Sequence, residues 1–316
     1  MEKKTLFAGI DIGGTSLKAG LFNIKQELLG RFSTPVRRDD HPEASLCNLV
    51  SWLNSAEVTG QGRLRAVGVG IPGIFNQEMG MLTLAANLPQ WVGFPVRDFL
   101  KKNLGTEVII GNDGNMAALG EYHAGSGREL ESMMMLVLGT GVGGAIVDNG
   151  RILEFNGFSG EIGHIIIDFD GVKCQCGHTG CLETMAAKSG LIRMFNEILE
   201  KEEHNRQAYR DLLEITPLIL SNMASAGDPL AMEVYRKSGN AVGIGISNIL
   251  NLLRLDGVVI GGGIAGAWEG FFTAIEESVA KNTFNYDPEK IRIRKALLGE
   301  DAGIYGAAVA SMKSAC

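Results

Sequence analysis

The sequence predicts an α/β fold with mixed sheets, built from two related halves. Three observations carry this. Apolar strand patterns alternate with helical ones along the chain, the pattern of α/β architecture. A strand, a glycine turn and a returning strand occur within residues 6–24 and again within 133–150, and this weak resemblance points to an internal duplication. Glycine, 43 of 316 residues, gathers at residues 13–14, 68–73, 139–144 and 261–263, each at the end of an apolar run. Tight turns and close ligand approach need residues without a Cβ there.

The elements follow in order. Residues 6–12 (Leu-Phe-Ala-Gly-Ile-Asp-Ile) and 16–22 read as strands around the turn Gly13-Gly14-Thr15. A third strand falls near 27–33, a helix at about 42–55, a strand at 66–71, a helix at 96–104 and a strand at 107–110. Asn112-Asp113 opens a helix to about residue 124. The pattern then restarts with strand 133–138, glycine turn 139–144 and strand 145–147. A helix-rich stretch covers 185–253, strand 258–260 turns at 261–265 into a helix, and a small-residue helix at 303–312 ends the chain. The crossing between halves is expected near residue 114, with the last helix returning to the first half. The domains are then 1–114 plus 303–316, and 115–302, with a cleft between them.

Composition narrows the function. The chain is 45% apolar and 21% charged, with formal net charge −7. An acidic balance argues against nucleic acid and against anionic membranes as partners. No signal-peptide h-region opens the chain, and no apolar run reaches the roughly 18 residues of a membrane span. The expected location is the cytoplasm, where its five cysteines stay reduced. Cys47 and Cys316 receive no role.

The most specific motif is His164 with Cys174, Cys176 and Cys181, spaced C-x-C-x4-C. Three thiolates and one imidazole close a tetrahedral structural zinc site and leave no open position for chemistry. His178, inside the loop, is an alternative to His164. Glu161 and Glu183 bracket the loop, and each carboxylate can accept two sugar hydroxyls; surface glutamates read the same way. In Asp11-Ile-Gly-Gly-Thr15, successive N–H groups at Gly13, Gly14 and Thr15 make a phosphate nest, or an ordinary hairpin turn. Asp11 is placed to hold magnesium through water. Lys18 either contacts phosphate or snorkels from its strand. Gly139-Thr140-Gly141 forms a second such turn, and it is not a P-loop, which needs Gly-Lys-Ser/Thr. Gly262 and Gly263 offer a flat backbone for a nucleoside, or close helix–sheet packing. Asn112-Asp113 reads as a helix cap. It is also a carboxylate at a strand's C-terminal end, where α/β sites form, and Asp113 could take the proton of a sugar hydroxyl.

Together these segments resemble the ROK family of sugar kinases, within the actin/hexokinase-like ATPases. The resemblance is carried by Asp11-Ile-Gly-Gly-Thr15, Gly70-Ile-Pro-Gly73, Ala86-Asn-Leu-Pro89, Gly111-Asn-Asp-Gly-Asn115, Leu138-Gly-Thr-Gly-Val-Gly-Gly144, Gly160-Glu-Ile-Gly-His164, the Cys loop ending in Glu183, and Gly261-Gly-Gly263. It implies two actin-like (ribonuclease H-like) domains, each with a mixed sheet. It also implies ATP- and Mg2+-dependent phosphorylation of a hexose 6-hydroxyl, structural Zn2+ and a homodimer. Asp113 matches the general base. Asn112, Glu161, His164 and Glu183 match sugar contacts, and Gly73 and Asn87 lie in pocket-lining segments. Glu161 and the Asn87-Leu-Pro-Gln-Trp91 segment are most similar to glucokinases. Kinases of N-acetylmannosamine, N-acetylglucosamine, fructose and allose share the frame. One departure is Ile74-Phe75-Asn76 after Gly73, where relatives often carry Pro and an acid. A ROK repressor would place a winged helix–turn–helix before its first glycine turn, which here begins at Asp11.

Overall fold

The computed structural model describes residues 4–37, 39–76, 79–85, 87–154, 160–201, 209, 214–266 and 269–315. In chain order come β1 (Thr5–Ile12), β2 (Ser16–Asn23), β3 (Leu28–Pro35), α1 (Pro42–Leu53), α2 (Ala56–Thr59), β4 (Arg63–Ile71), β5 (Ile74–Asn76), β6 (Met81–Leu84), α3 (Val96–Leu104), β7 (Glu107–Asn112) and α4 (Asp113–Ala124). They continue with β8 (Ser132–Leu138), β9 (Val142–Asp148), β10 (Arg151–Ile152), α5 (Glu183–Ala186), α6 (Lys188–Lys201), α7 (Pro217–Ser225), α8 (Pro229–Leu253), β11 (Gly257–Gly261), α9 (Glu269–Asn282), β12 (Arg292–Lys295) and α10 (Ala302–Ser314). The hairpin β5–β6 and the strands β10 and β12 have no counterpart in the sequence reading. At two to four residues each, they are too short to carry a period.

By contacts the chain divides into two compact units. One comprises Met1–Glu131, Ile146–Ser159 and Leu297–Cys316; the other comprises Ser132–Ala145 and Gly160–Ala296. The sequence put the first crossing near 114, whereas the contacts place it after Glu131. The reason is that α4 packs on α10. A Cβ on Gly120 would strike the Ala302 carbonyl, and one on Gly306 would strike that of Met116.

In the first unit the sheet order is β3-β2-β1-β4-β7. β1, β2 and β3 are antiparallel, while β4 and β7 run parallel to β1. One face packs Ala8, Ile10 and Ile12 with Leu46 and Leu49 of α1 and Leu100 of α3. The other packs Phe7 and Ala66 against Ile304 and Ala308 of α10. Burial on both faces explains why these strands read as near-continuous apolar runs. Gly9 and Gly68 are packing glycines, since a Cβ on either would overlap a carbonyl oxygen of α10.

The second sheet has the order β10-β9-β8-β11-β12. β8, β11 and β12 are parallel. Strand for strand this repeats the first sheet, the topological form of the expected duplication. The long α8 begins at a capped turn, where Asp228 accepts from the Ala231 N–H at 2.9 Å and Pro229 needs no donor. Among the described residues no helix is long and apolar enough to cross a membrane.

Candidate active site and metal centre

Three parallel strands of the first unit end together. Register pairs Asp11 of β1 with Gly70 of β4, and Gly70 with Gly111 of β7. Asp113 follows two residues later, as the first residue of α4. Such strand ends are where α/β proteins place ligands. Burial, then the charge of Asp113, pushes the Asp11 carboxyl up to about 6, with Lys18 pulling it down. Burial also raises Asp113 above the ordinary aspartate range, against a lowering by the Gly114 N–H, which donates to Asp113 Oδ1 at 2.9 Å.

Asn112 is a helix cap in fact. Its Oδ1 accepts from the N–H groups of Gly114 at 2.9 Å and Asn115 at 3.2 Å. That fixes the start of α4 and therefore the position of Asp113. The turn after Asp11 is closed by the Gly13 N–H donating to Ser16 O at 2.8 Å. A Cβ on Gly14 would lie 3.4 Å from Asn87 Cβ, so the turn and the Asn87 segment are neighbours. Gly73 has φ +115°, and a Cβ there would overlap the Leu84 carbonyl. Thr15 is exposed. Lys18 is paired with Glu300 at 2.5 Å, so its ammonium is already engaged. Ala86, His204 and Cys316 lie outside the described residues.

In the second unit the four zinc-ligand candidates converge. One ligand atom from each of His164, Cys174, Cys176 and Cys181 lies within 4.8 Å of the others. Cys176 Sγ is 3.6 Å from Cys181 Sγ, and Cys174 Sγ is 3.8 Å from His164 Nδ1. With Zn–S near 2.3 Å, a tetrahedron has edges of about 3.5–3.8 Å, so the residues present fit the ion. Burial pushes the Cys181 thiol up to about 12 and raises Cys174, whereas the backbone N–H of His178 lowers Cys176 to about 6, so thiolates at the first two positions need a cation beside them. His178 Nδ1 lies 3.5 Å from Cys176 Sγ, on the exposed side of the loop.

Glu183 sits between this loop and the second glycine turn. Its Oε2 accepts from the Val142 N–H at 2.9 Å, and its Oε1 lies 3.8 Å from Cys174 Sγ. A Cβ on Gly141 would come within 2.6 Å of Glu183 Oε2. Glu161 is exposed. The Gly139–Gly141 turn is closed by the Gly139 N–H donating to Gly141 O at 3.0 Å, and Thr140 is exposed. Gly262 has φ +90° and packs against the Leu138 backbone, whereas a Cβ on Gly263 would meet nothing within 4 Å. The turn at 261–263 does not itself begin a helix; α9 starts at Glu269.

Sequence reasoning missed Glu121. It is fully buried in α4, and its carboxylate accepts from three backbone N–H groups. The available signal was one acid within the apolar run Ala117-Ala-Leu-Gly-Glu121.

The ROK family model matches residues 7–313. This chain belongs to the ROK family. It is 33% identical over 307 residues to a glucokinase from Halalkalibacterium halodurans, covering 95% of this chain and 93% of that one. A solved ROK hexokinase from Thermus thermophilus is 31% identical, with TM-score 0.83 and 98% of each chain covered. A ROK glucokinase from Streptomyces griseus, solved with glucose and AMPPNP, is 27% identical, with TM-score 0.76, 98% of this chain and 99% of that one covered. Other relatives at 29% identity are an N-acetyl-D-glucosamine kinase from Yersinia pseudotuberculosis and a putative xylose repressor from Caldicellulosiruptor. The fold of this ROK protein is the two-domain actin-like ATPase fold, with the mixed sheets that the sequence led one to expect.

Proposed function

We propose that this ROK protein is an ATP-dependent hexose kinase that phosphorylates the 6-hydroxyl, with glucose as its first substrate. The observation that supports this best is the half-buried carboxylate of Asp113, held just past the end of β7 beside Asp11. Asp113 accepts the hydroxyl proton. An aspartate is a weak base for an alcohol. In phosphoryl transfer the loose transition state delays proton loss, so positioning dominates. Burial helps by raising Asp113, and turnover then climbs with pH as this carboxylate ionises. Asn112 orients it by capping α4. Asp11 would hold hydrated Mg2+, and the turns Gly13-Gly14-Thr15 and Gly139-Thr140-Gly141 would supply N–H groups to phosphate. Lys18 joins them only by leaving Glu300. Gly262 and Gly263 would lie on the adenosine side. When bound, MgATP supplies the phosphoryl group.

Gly73, Asn87, Asn112, Glu161, His164 and Glu183 are the proposed sugar contacts. Glu183 enters with Oε2 held by the Val142 N–H and Oε1 beside Cys174 Sγ, and a hydroxyl takes one of the remaining acceptor positions of the carboxylate. Zn2+ on His164, Cys174, Cys176 and Cys181 would hold that segment in place. A homodimer is part of the same reading, tested by sedimentation at twice the chain mass. Pocket differences of a methyl group are worth only about 1–3 kcal/mol, so sugar choice is decided by kcat/KM. The panel is glucose, mannose, N-acetylmannosamine, N-acetylglucosamine, fructose and allose with MgATP. The expected result is the highest kcat/KM for glucose. Sugar binding without ADP release would favour a sugar-sensing core, as in the repressor relatives.

A further inference from the structure

The chain crosses between its two compact units four times, and one buried side chain is tied to two of the crossings. The first follows Glu131, and the last ends at Leu297. Glu121 Oε2 accepts from the N–H of Ser126 at 2.9 Å, on the segment leading to the first crossing. The same oxygen accepts from the Leu297 N–H at 3.1 Å, and Oε1 accepts from the Leu298 N–H at 2.7 Å, on the segment returning from the last. The carboxylate is 0% exposed. Gly125 makes room for it, since a Cβ there would clash with Oε2. Hydrogen bonds from backbone donors to a charged acceptor are the strong kind, and a buried donor left unmatched is costly.

What these bonds fix leads to the chemistry. Beyond Leu298 the chain passes Glu300, paired with Lys18 of β2, and Asp301, paired with Arg31 of β3. It then enters α10. The first turn of α10 lies against Asp11, with a Cβ on Gly303 only 2.7 Å from Asp11 Cγ. One turn on, α10 touches α4 backbone to backbone at Gly306 and Met116. The helix α4 carries Asp113 at its start and Glu121 near its end. We propose that Glu121 is a positioning residue, tying both chain crossings to α4 and thereby setting α10, Asp11 and Asp113 in fixed relation. The inference rests on the kinase reading for what those carboxylates do; the anchor itself does not.

The test is Glu121→Gln, which keeps the volume but turns one acceptor into a donor facing backbone N–H groups. Glu131→Gln, an exposed acid on the same segment, controls for loss of charge. Hydrogen exchange is read by peptide across the chain, together with kcat, KM for glucose and KM for MgATP. Exchange in both 125–131 and 296–301 should rise by roughly 10- to 100-fold, while β1 and the Cys loop stay protected. kcat should fall at least tenfold, with KM for glucose within threefold. Loosening of only one segment, or of the whole first unit, would overturn the anchor. Loosening of both segments with unchanged kcat would overturn the positioning role. If wild-type protein turns over no sugar in the panel, the kinase reading fails, and the exchange data still decide the anchor.

Discussion

Substituting Gly303 by alanine separates folding from chemistry. Gly303 lies in the first turn of α10, and a Cβ there would be 2.7 Å from Asp11 Cγ, 2.9 Å from Oδ2 and 3.1 Å from Asp11 Cβ. Ordinary contact needs about 3.5–4 Å. The Asp11 carboxylate and the helix must therefore part by about 1 Å. The helix gains about 0.5–1 kcal/mol from losing a glycine, and overpacking costs about 1–3 kcal/mol. Net destabilisation stays under about 2.5 kcal/mol on these ranges, and the protein still folds. A misplacement of about 1 Å costs on the order of a hundredfold in turnover. The assay is kcat against Mg2+ concentration, with urea unfolding and glucose binding in parallel. The expected outcome is a kcat loss of tenfold or more, a raised Mg2+ requirement and unchanged glucose affinity. A kcat within threefold of wild type and an unchanged Mg2+ response would refute the claim that Asp11 works at this position.

The other predictions are simpler. Asp11 has a folded-state pKa of about 6, above its unfolded value of 3.8. Its contribution is therefore stabilising below about pH 4 and is lost as pH rises through 6. Asp11→Asn should then be more stable than wild type at pH 8 by up to about 3 kcal/mol, equal to it near pH 4, and inactive; a variant less stable at pH 8 contradicts the burial argument. Gly263→Ala adds a Cβ into open space, so Tm should hold while KM for ATP rises; unchanged KM removes Gly263 from the adenosine side. Elemental analysis should find one zinc per chain, and Cys174→Ser should lower both zinc content and Tm. Less than half an equivalent in intact wild-type protein counts against the metal centre.

Much of this architecture was legible because duplication makes the same pattern speak twice. The hairpins at Gly13 and Gly139 were visible in the sequence as strand, glycines, strand, and the two sheets share one order. The Cys3His spacing was legible for a different reason, since ligand identity and number are chemical facts that hold in any fold. The crossing point was not, because the packing of α4 on α10 depends on Gly120 meeting Ala302 across a large sequence separation. Lys18 shows the same limit. Its partner Glu300 comes from the far end of the chain, so no local pattern announces the pair. The glycines at 262 and 263 split, one needed for its positive φ and close packing and the other open, a distinction invisible in two identical letters.

The most direct test of the central claim is sugar-dependent ADP release by wild-type protein and by Asp113→Asn, with glucose binding measured on both. The account predicts steady turnover in the wild type. In the variant it predicts turnover reduced to background, with glucose affinity still measurable. Retained turnover in Asp113→Asn would contradict it.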